Sequence, residues 1–287
     1  MTATSTVTFD VSQLGVGLGD NALVNLRFDN TNAAPGYFPY VDLIVPGNGA
    51  DGAGAGNSPV NDGLTFNGAT FLGAPVASTV IEFDLNGEAV HPFETDGAGA
   101  PGIVNGTPGD TLVVLQLPFG SFTADQTAAD IVLDLSLSDD ADLNTVLAIN
   151  AQGGFAFGGD PLNNPGADAP IRGPVANLDV APQLVRLTKT YIGPEQETAT
   201  GPSYPRQWLI EADIADSQDL TNLVLTDIMP DGTVITGVTI QNGTGTVDIT
   251  GRTITATFDG LIDGSAPNPG VLIDFYVGEL LDNGAPE

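Results

Sequence analysis

One histidine, His91, stands in 287 residues, directly before Pro92, and cysteine is absent. A serine-type triad needs a histidine as general base and a nucleophile on a strained elbow. No Gly-x-Ser-x-Gly run accompanies His91, so the sequence reads it as a loop histidine. The same counts exclude a zinc site built from histidines or cysteines. Glu82, Glu88, Glu94 and Glu211 supply carboxylates, but none sits in a context that suggests the paired acids of a glycosidase. The expectation is a chain that is not an enzyme.

Hard oxygen donors are plentiful, and calcium is the ion they suit. Asp140, Asp142 and Asn144 occupy alternate positions, as do the first three ligands of a D-x-D-x-N loop. Thr145 replaces the usual glycine and Ala151 stands where a bidentate glutamate belongs, which leaves only an irregular site. Asp160, Asn163, Asn164 and Asp168 gather where the two halves of the chain join, a place where an ion would stiffen the connection. Gly47-Asn48-Gly49-Ala50-Asp51 matches one copy of a G-x-G-x-D repeat, which binds calcium only between stacked copies. Calcium is the one cofactor these residues suggest; the plainer reading of all of them is solvated turn chemistry. Aromatic side chains offer a different surface, since Tyr37, Phe38 and Tyr40 lie together and suit a sugar platform.

The elements that must carry these groups are strands. Period-two alternation recurs in Val7/Phe9/Val11, Ala22/Val24/Leu26/Phe28, Ile81/Phe83/Leu85 and Ile131/Leu133/Leu135/Leu137. It returns in Trp208/Ile210/Ala212/Ile214, Ile254/Ala256/Phe258 and Val271/Ile273/Phe275/Val277. Asp231-Gly232, Asn242-Gly243 and Asp259-Gly260 supply the positive φ that turns between strands require. Helical periodicity is almost absent. The fold class expected is therefore all-β, as two tandem immunoglobulin-like β-sandwich domains, because the chain is too long for one sandwich of roughly 100 residues.

The stretch 161–182, dotted with proline and glycine, reads as the connection and places the boundary near Leu178, giving domains 1–178 and 179–287. Gly47 to Pro59 and Asp96 to Pro108 read as mobile surface loops. Tyr40 to Gly47 resembles Leu225 to Gly232, which suggests an old duplication. The second half has no counterpart of the late strands at Val146–Asn150 and Phe155–Phe157, so it is expected to lack its last strand, either cut away or supplied by a neighbouring copy.

Thirty-six acidic residues against six basic ones give a formal charge of −30. Such a field repels phosphate backbones and anionic headgroups, which argues against nucleic-acid and membrane partners. It suits an external, ion-rich milieu. No apolar run approaches the roughly 20 residues of a membrane span, and Met1-Thr2-Ala3-Thr4 lacks the regions of a signal peptide. Any export signal is therefore expected outside this stretch.

Leu187-Thr188-Lys189-Thr190 opens a strand, and Val224-Leu225-Thr226-Asp227-Ile228-Met229-Pro230-Asp231-Gly232 follows. Across residues 183–280 this resembles the DUF11-type conserved repeat of large bacterial cell-surface and secreted proteins; the first half is only loosely similar. The resemblance implies a non-enzymatic extracellular module, structural or adhesive, that could assemble into fibres or sheets. Its expected partners are other copies of itself or neighbouring domains, with glycans or a cell-surface receptor as further candidates. A carbohydrate-binding module and an accessory domain of a secreted enzyme are the alternatives. Some surface modules of this kind carry a Lys–Asn amide crosslink, which would use Lys189, the only lysine, with Asp227 as its carboxylate.

Overall fold

The computed structural model describes residues 2–48, 61–95, 100–157, 170–194 and 199–278. Those residues form strands, turns and bends, and the chain divides into two compact units, Met1–Gln183 and Leu184–Glu287.

In the first unit the strands are β1 (Ser5–Phe9), β2 (Gln13–Gly17), β3 (Asn21–Asn30), β4 (Gly36–Val45), β5 (Leu64–Phe71), β6 (Ala74–Pro75) and β7 (Ala77–Glu82). They continue as β8 (Glu88–Thr95), β9 (Pro101–Asn105), β10 (Thr111–Gln116), β11 (Ser121–Phe122), β12 (Ala129–Leu137), β13 (Leu147–Phe157) and β14 (Ile171–Gln183). One sheet runs β1-β3-β12-β5-β6 and the other β2-β14-β13-β4-β10-β7, with β11 also on β4. The alternating rows of β3 and β12 do what their period demands: Val24, Leu26, Phe28, Ile131, Leu133 and Leu135 are buried.

β4 and β10 break the alternation because the second sheet is covered on both faces. Val41, Leu43 and Val45 share one face of β4, whereas Tyr40 and Asp42 lie on the other, all of them buried. The outer face is roofed by the β8–β9 hairpin, whose Ala89 and Val104 join Tyr40, Phe83, Leu112, Val114 and Ala156 in a separate hydrophobic cluster.

This arrangement corrects several expectations. Residues 101–105, read as loop because small side chains surround them, form β9 and pair with β8. His91 belongs to a strand and is buried rather than on a loop. The latter part of the presumed connection, Ile171–Gln183, is strand β14, which pairs with β13 and, in parallel, with β2. The division therefore falls between Gln183 and Leu184, five residues beyond Leu178. Val11 and Leu85 are exposed; Leu85 occupies a tight turn in which the Asp84 carboxylate accepts hydrogen bonds from the Asn86 and Glu88 amides.

The second unit contains β15 (Val185–Tyr191), β16 (Arg206–Ile214), β17 (Asp219–Thr221), β18 (Val224–Ile228), β19 (Thr233–Gln241), β20 (Gly245–Thr250), β21 (Thr253–Phe258), β22 (Leu261–Asp263) and β23 (Gly270–Val277). Sheets β15-β16-β23-β19 and β18-β21-β20 enclose Ile210, Ala212, Leu225, Met229, Ile254, Ala256, Phe258 and Ile273, with the β17–β22 pair beside them. Gly232, Asn242 and Gly260 adopt positive φ of 78°, 50° and 82°, as the turn dipeptides anticipated.

Both units are β-sandwiches. The proposed repeat of β4 in β18 does not extend to position: β4 lies inside its sheet between β13 and β10, whereas β18 pairs only with β21 among the described residues.

Candidate functional site

A carboxylate in the middle of an apolar strand has to find a partner, because burial penalises an isolated charge by several kcal/mol or neutralises it. Asp42 is that residue, flanked by Val41 and Leu43 on β4. Its partner comes from the roof: His91 on β8 lies with Nε2 3.0 Å from the Asp42 Oδ1 atom. The amides of Phe93 and Glu94 donate to His91 Nδ1 at 3.1 and 3.0 Å. Nδ1 is therefore the acceptor nitrogen and Nε2 carries the proton that Asp42 accepts. Both ring nitrogens are engaged by the chain itself, so this histidine has no free lone pair with which to act as a general base.

Beside this pair lies a second one. The Glu94 side chain, 2% exposed, accepts hydrogen bonds from the Arg172 guanidinium on β14, one of them from Nε at 2.9 Å, and another from the Tyr40 hydroxyl. Burial works to raise the Glu94 carboxyl, but the Arg172 and Tyr40 hydrogen bonds outweigh it and hold it below the usual range. Asp42 goes the other way, raised chiefly by burial despite the His91 bond. The Tyr40 phenol is pushed far up by burial and by the adjacent Glu94 charge, so it keeps its proton. Arg172 is raised by the Glu94 hydrogen bond and stays a cation. Gly154 makes this packing possible, since a Cβ there would lie 2.3 Å from the Tyr40 hydroxyl oxygen.

The Asp42 pair gives a direct test. Asp42→Ala leaves the His91 Nε2 proton unmatched and is expected to cost about 1–3 kcal/mol. Asp42→Asn keeps an acceptor without the buried charge. Because the folded pKa of Asp42 is raised, its ionisation costs nothing below its unfolded pKa, and the cost builds as pH climbs from that value to the folded one and is complete above it. The asparagine variant should therefore gain on the natural protein between pH 4 and pH 7, read from urea midpoints.

Of this cluster the sequence singled out Tyr40 as part of a sugar platform and weighed His91 and Glu94 without assigning them a role. Among the residues it did single out, Asp140, Asp142 and Asn144 lie in the β12–β13 turn, with Asn144 at φ 64°. The Asp140 amide donates to Ser138 Oγ at 3.2 Å, and Thr145 Oγ1 to the Asp142 carbonyl at 2.8 Å. Among the described residues no three His, Cys, Asp or Glu side chains gather as metal ligands. Asp160, Asn163, Asn164 and Asp168 lie outside the described residues, as do 49–60, which carry most of the glycine-rich repeat.

Lys189 and Asp227 do meet. Lys189 Nζ on β15 stands 2.7 and 2.8 Å from the two Asp227 oxygens on β18 and 5.2 Å from the centre of the Trp208 ring. The lysine side chain is 34% exposed, so this is a half-open ion pair at a sheet edge. Of the aromatic trio, Phe38 and Tyr40 line a hollow together with Phe93 and Phe157, and Tyr37 does not.

No family model matches the sequence, and no curated protein matches it. Among solved structures the chain is similar to BcpA, the major pilin subunit of Bacillus cereus, at 9% identity, covering 98% of this chain and 62% of that one with a TM-score of 0.34. It is similar to the C-terminal domain of the AgI/II polypeptide BspA of Streptococcus agalactiae, at 10% identity over 97% and 92% of the two chains with a TM-score of 0.27. It is also similar to AvmM, which catalyses macrocyclization in alchivemycin A biosynthesis, at 8% identity over 62% and 88% with a TM-score of 0.33. Likenesses this remote lend the chain neither a name nor an activity.

Proposed function

We propose that this chain is a non-enzymatic structural or adhesive module of a bacterial cell-surface or matrix protein. The observation that carries the reading is the use made of its acid–base groups. His91 is bonded at both nitrogens, and Glu94 is locked between Arg172 and Tyr40. Groups that another fold would aim at a substrate serve here to fasten a hairpin onto a sheet. The −30 charge supports an external, cation-rich setting, with calcium as the ion proposed for the acidic loops.

We further read residues 183–280 as a DUF11-type repeat, supported by the meeting of its lysine strand and its aspartate in the Lys189–Asp227 pair. Assembly into fibres is the next step of the proposal. It is supported by the outer edge of β18, unpaired among the described residues, where Val224 and Ile228 are exposed.

Light scattering of the whole chain over a concentration series, with calcium and with chelator, tests the assembly. Particles that grow with concentration support it, and growth that requires calcium supports the ion as well. A monomer at every concentration in both conditions removes the fibre reading. Protease shaving of intact host cells tests the location: release of peptides from this chain is expected, and their absence while the protein is abundant inside the cell would overturn it.

A further inference from the structure

The hollow next to Tyr40 is used neither by the buried cluster nor by the proposed structural role. It holds about 240 Å³ and is walled by Phe38 and Tyr40 of β4, Phe93 of β8 and Phe157 of β13. Phe38 and Phe157 stand edge to face, 5.6 Å apart at 74°, so the walls differ in orientation. Phe38 has a left-handed backbone, φ 51°, a conformation that is costly for a bulky residue and persists where its surroundings impose it. That cost is not offset by full burial, since the Phe38 and Phe93 side chains both remain well exposed. Two large apolar rings held open at the mouth of a recess point to a ligand.

Charge decides which one. Among the described residues no side chain lining the hollow is charged, and the one side-chain amide is that of Gln116. Residues 1–183 carry 21 aspartates and glutamates against two basic side chains, Arg27 and Arg172. Each of those stands beside a carboxylate, Asp130 and Glu94 respectively. An anion is disfavoured throughout this domain. Among the described residues, calcium or sodium would find no set of side-chain oxygen ligands in the recess, and a sugar would find little beyond one side-chain amide to satisfy its hydroxyls. A weakly hydrated cation with an apolar skin meets both conditions at once, because aromatic faces attract charge while the walls accept methyl groups.

We propose that the hollow binds a small alkylated ammonium group, of the trimethylammonium class, through cation–π contact with Phe38, Phe93 and Phe157. The probe is choline, compared on the whole chain with its uncharged carbon isostere, 3,3-dimethyl-1-butanol, and with glucose. Saturation-transfer NMR should carry magnetisation from protein aromatic protons to the choline methyls and weakly or not at all to the other two compounds.

Phe38→Gly, which suits the positive φ, and Phe93→Ala should each weaken choline binding by about fivefold or more while the melting temperature stays close to that of the natural protein. Equal binding of the isostere would make the recess merely apolar, and preference for glucose would make it a sugar site. Choline binding unaltered in both variants would be diffuse attraction to the acidic surface. Any of these, or no aromatic transfer in the natural protein, overturns the proposal, and that last reading needs no variant to fold.

Discussion

Replacing Arg172 with methionine is expected to lower the stability of residues 1–183 by about 2–3 kcal/mol at pH 7, less than the cost of breaking a fully buried ion pair because the Arg172 side chain is 36% exposed and water screens part of its charge. Methionine keeps an apolar stem of similar reach, so the loss isolates the charge. What remains is Glu94, 2% exposed at its side chain, still bonded by the Tyr40 hydroxyl and repelled by Asp42 beneath the same hairpin. Neither carboxylate has another cation to turn to, because Arg27, the one other basic side chain in the domain apart from His91, stands beside Asp130.

The loss should depend on pH with a defined sign. In the natural protein the Glu94 carboxyl lies below its ordinary value, so its contribution is present above the unfolded pKa, about 4.3, and disappears as pH falls through the folded one. Without Arg172, burial is opposed chiefly by the Tyr40 hydrogen bond, and the folded pKa is expected to move above the unfolded one. The variant then gains stability as pH falls through that raised value. Urea unfolding should accordingly show the widest gap between the two proteins near neutrality and the narrowest in acid. Adding Glu94→Gln to the methionine variant should recover most of the deficit at pH 7. A loss under about 1 kcal/mol at pH 7, or one independent of pH, would mean that Arg172 does not secure Glu94.

How far this cluster could be read in advance depends on what burial does to a sequence pattern. Strands β3, β12, β16 and β23 each bury one side chain row, and their alternation is plain in the sequence. β4 and β10 are covered on both faces, so Tyr40 to Val45 and Leu112 to Leu115 appear as continuous runs without a direction. The cover itself was hidden because β9 has glycine and small residues around Ile103 and Val104, and its register is fixed by pairing with β8 rather than by its own composition. One signal was available: Asp42 interrupts an apolar run, and a charge in that position needs a partner. The chain has one histidine and, in this domain, two arginines from which to supply it. The Lys189–Asp227 pair was legible for a different reason, since both residues belong to the two motifs that carry the family resemblance.

The heart of the first sandwich supplies the other large effect. Phe28 on β3 is fully buried and meets Phe122 of β11 at 5.4 Å and 90°, and Phe155 of β13 at 5.7 Å and 79°. The three rings come from both sheets, so they hold the layers together through edge-to-face contacts worth about 0.5–1.5 kcal/mol per pair beyond the area they bury. Gly153 leaves space for this arrangement, because a Cβ there would approach the Phe28 ring to 3.0 Å. Phe28→Ala should therefore cost about 3–5 kcal/mol, from lost burial and from a cavity that rigid strands on both sides cannot close. For a domain of this size each kcal/mol lowers the melting temperature by about 2–4 °C. Calorimetry is expected to show a transition for residues 1–183 lowered by roughly 6–20 °C, while a transition from residues 184–287 stays where it was. Movement of a single shared transition would instead mean that the two sandwiches unfold as one cooperative body. The same measurement thus weighs the aromatic core and decides whether the division after Gln183 is also a division in stability.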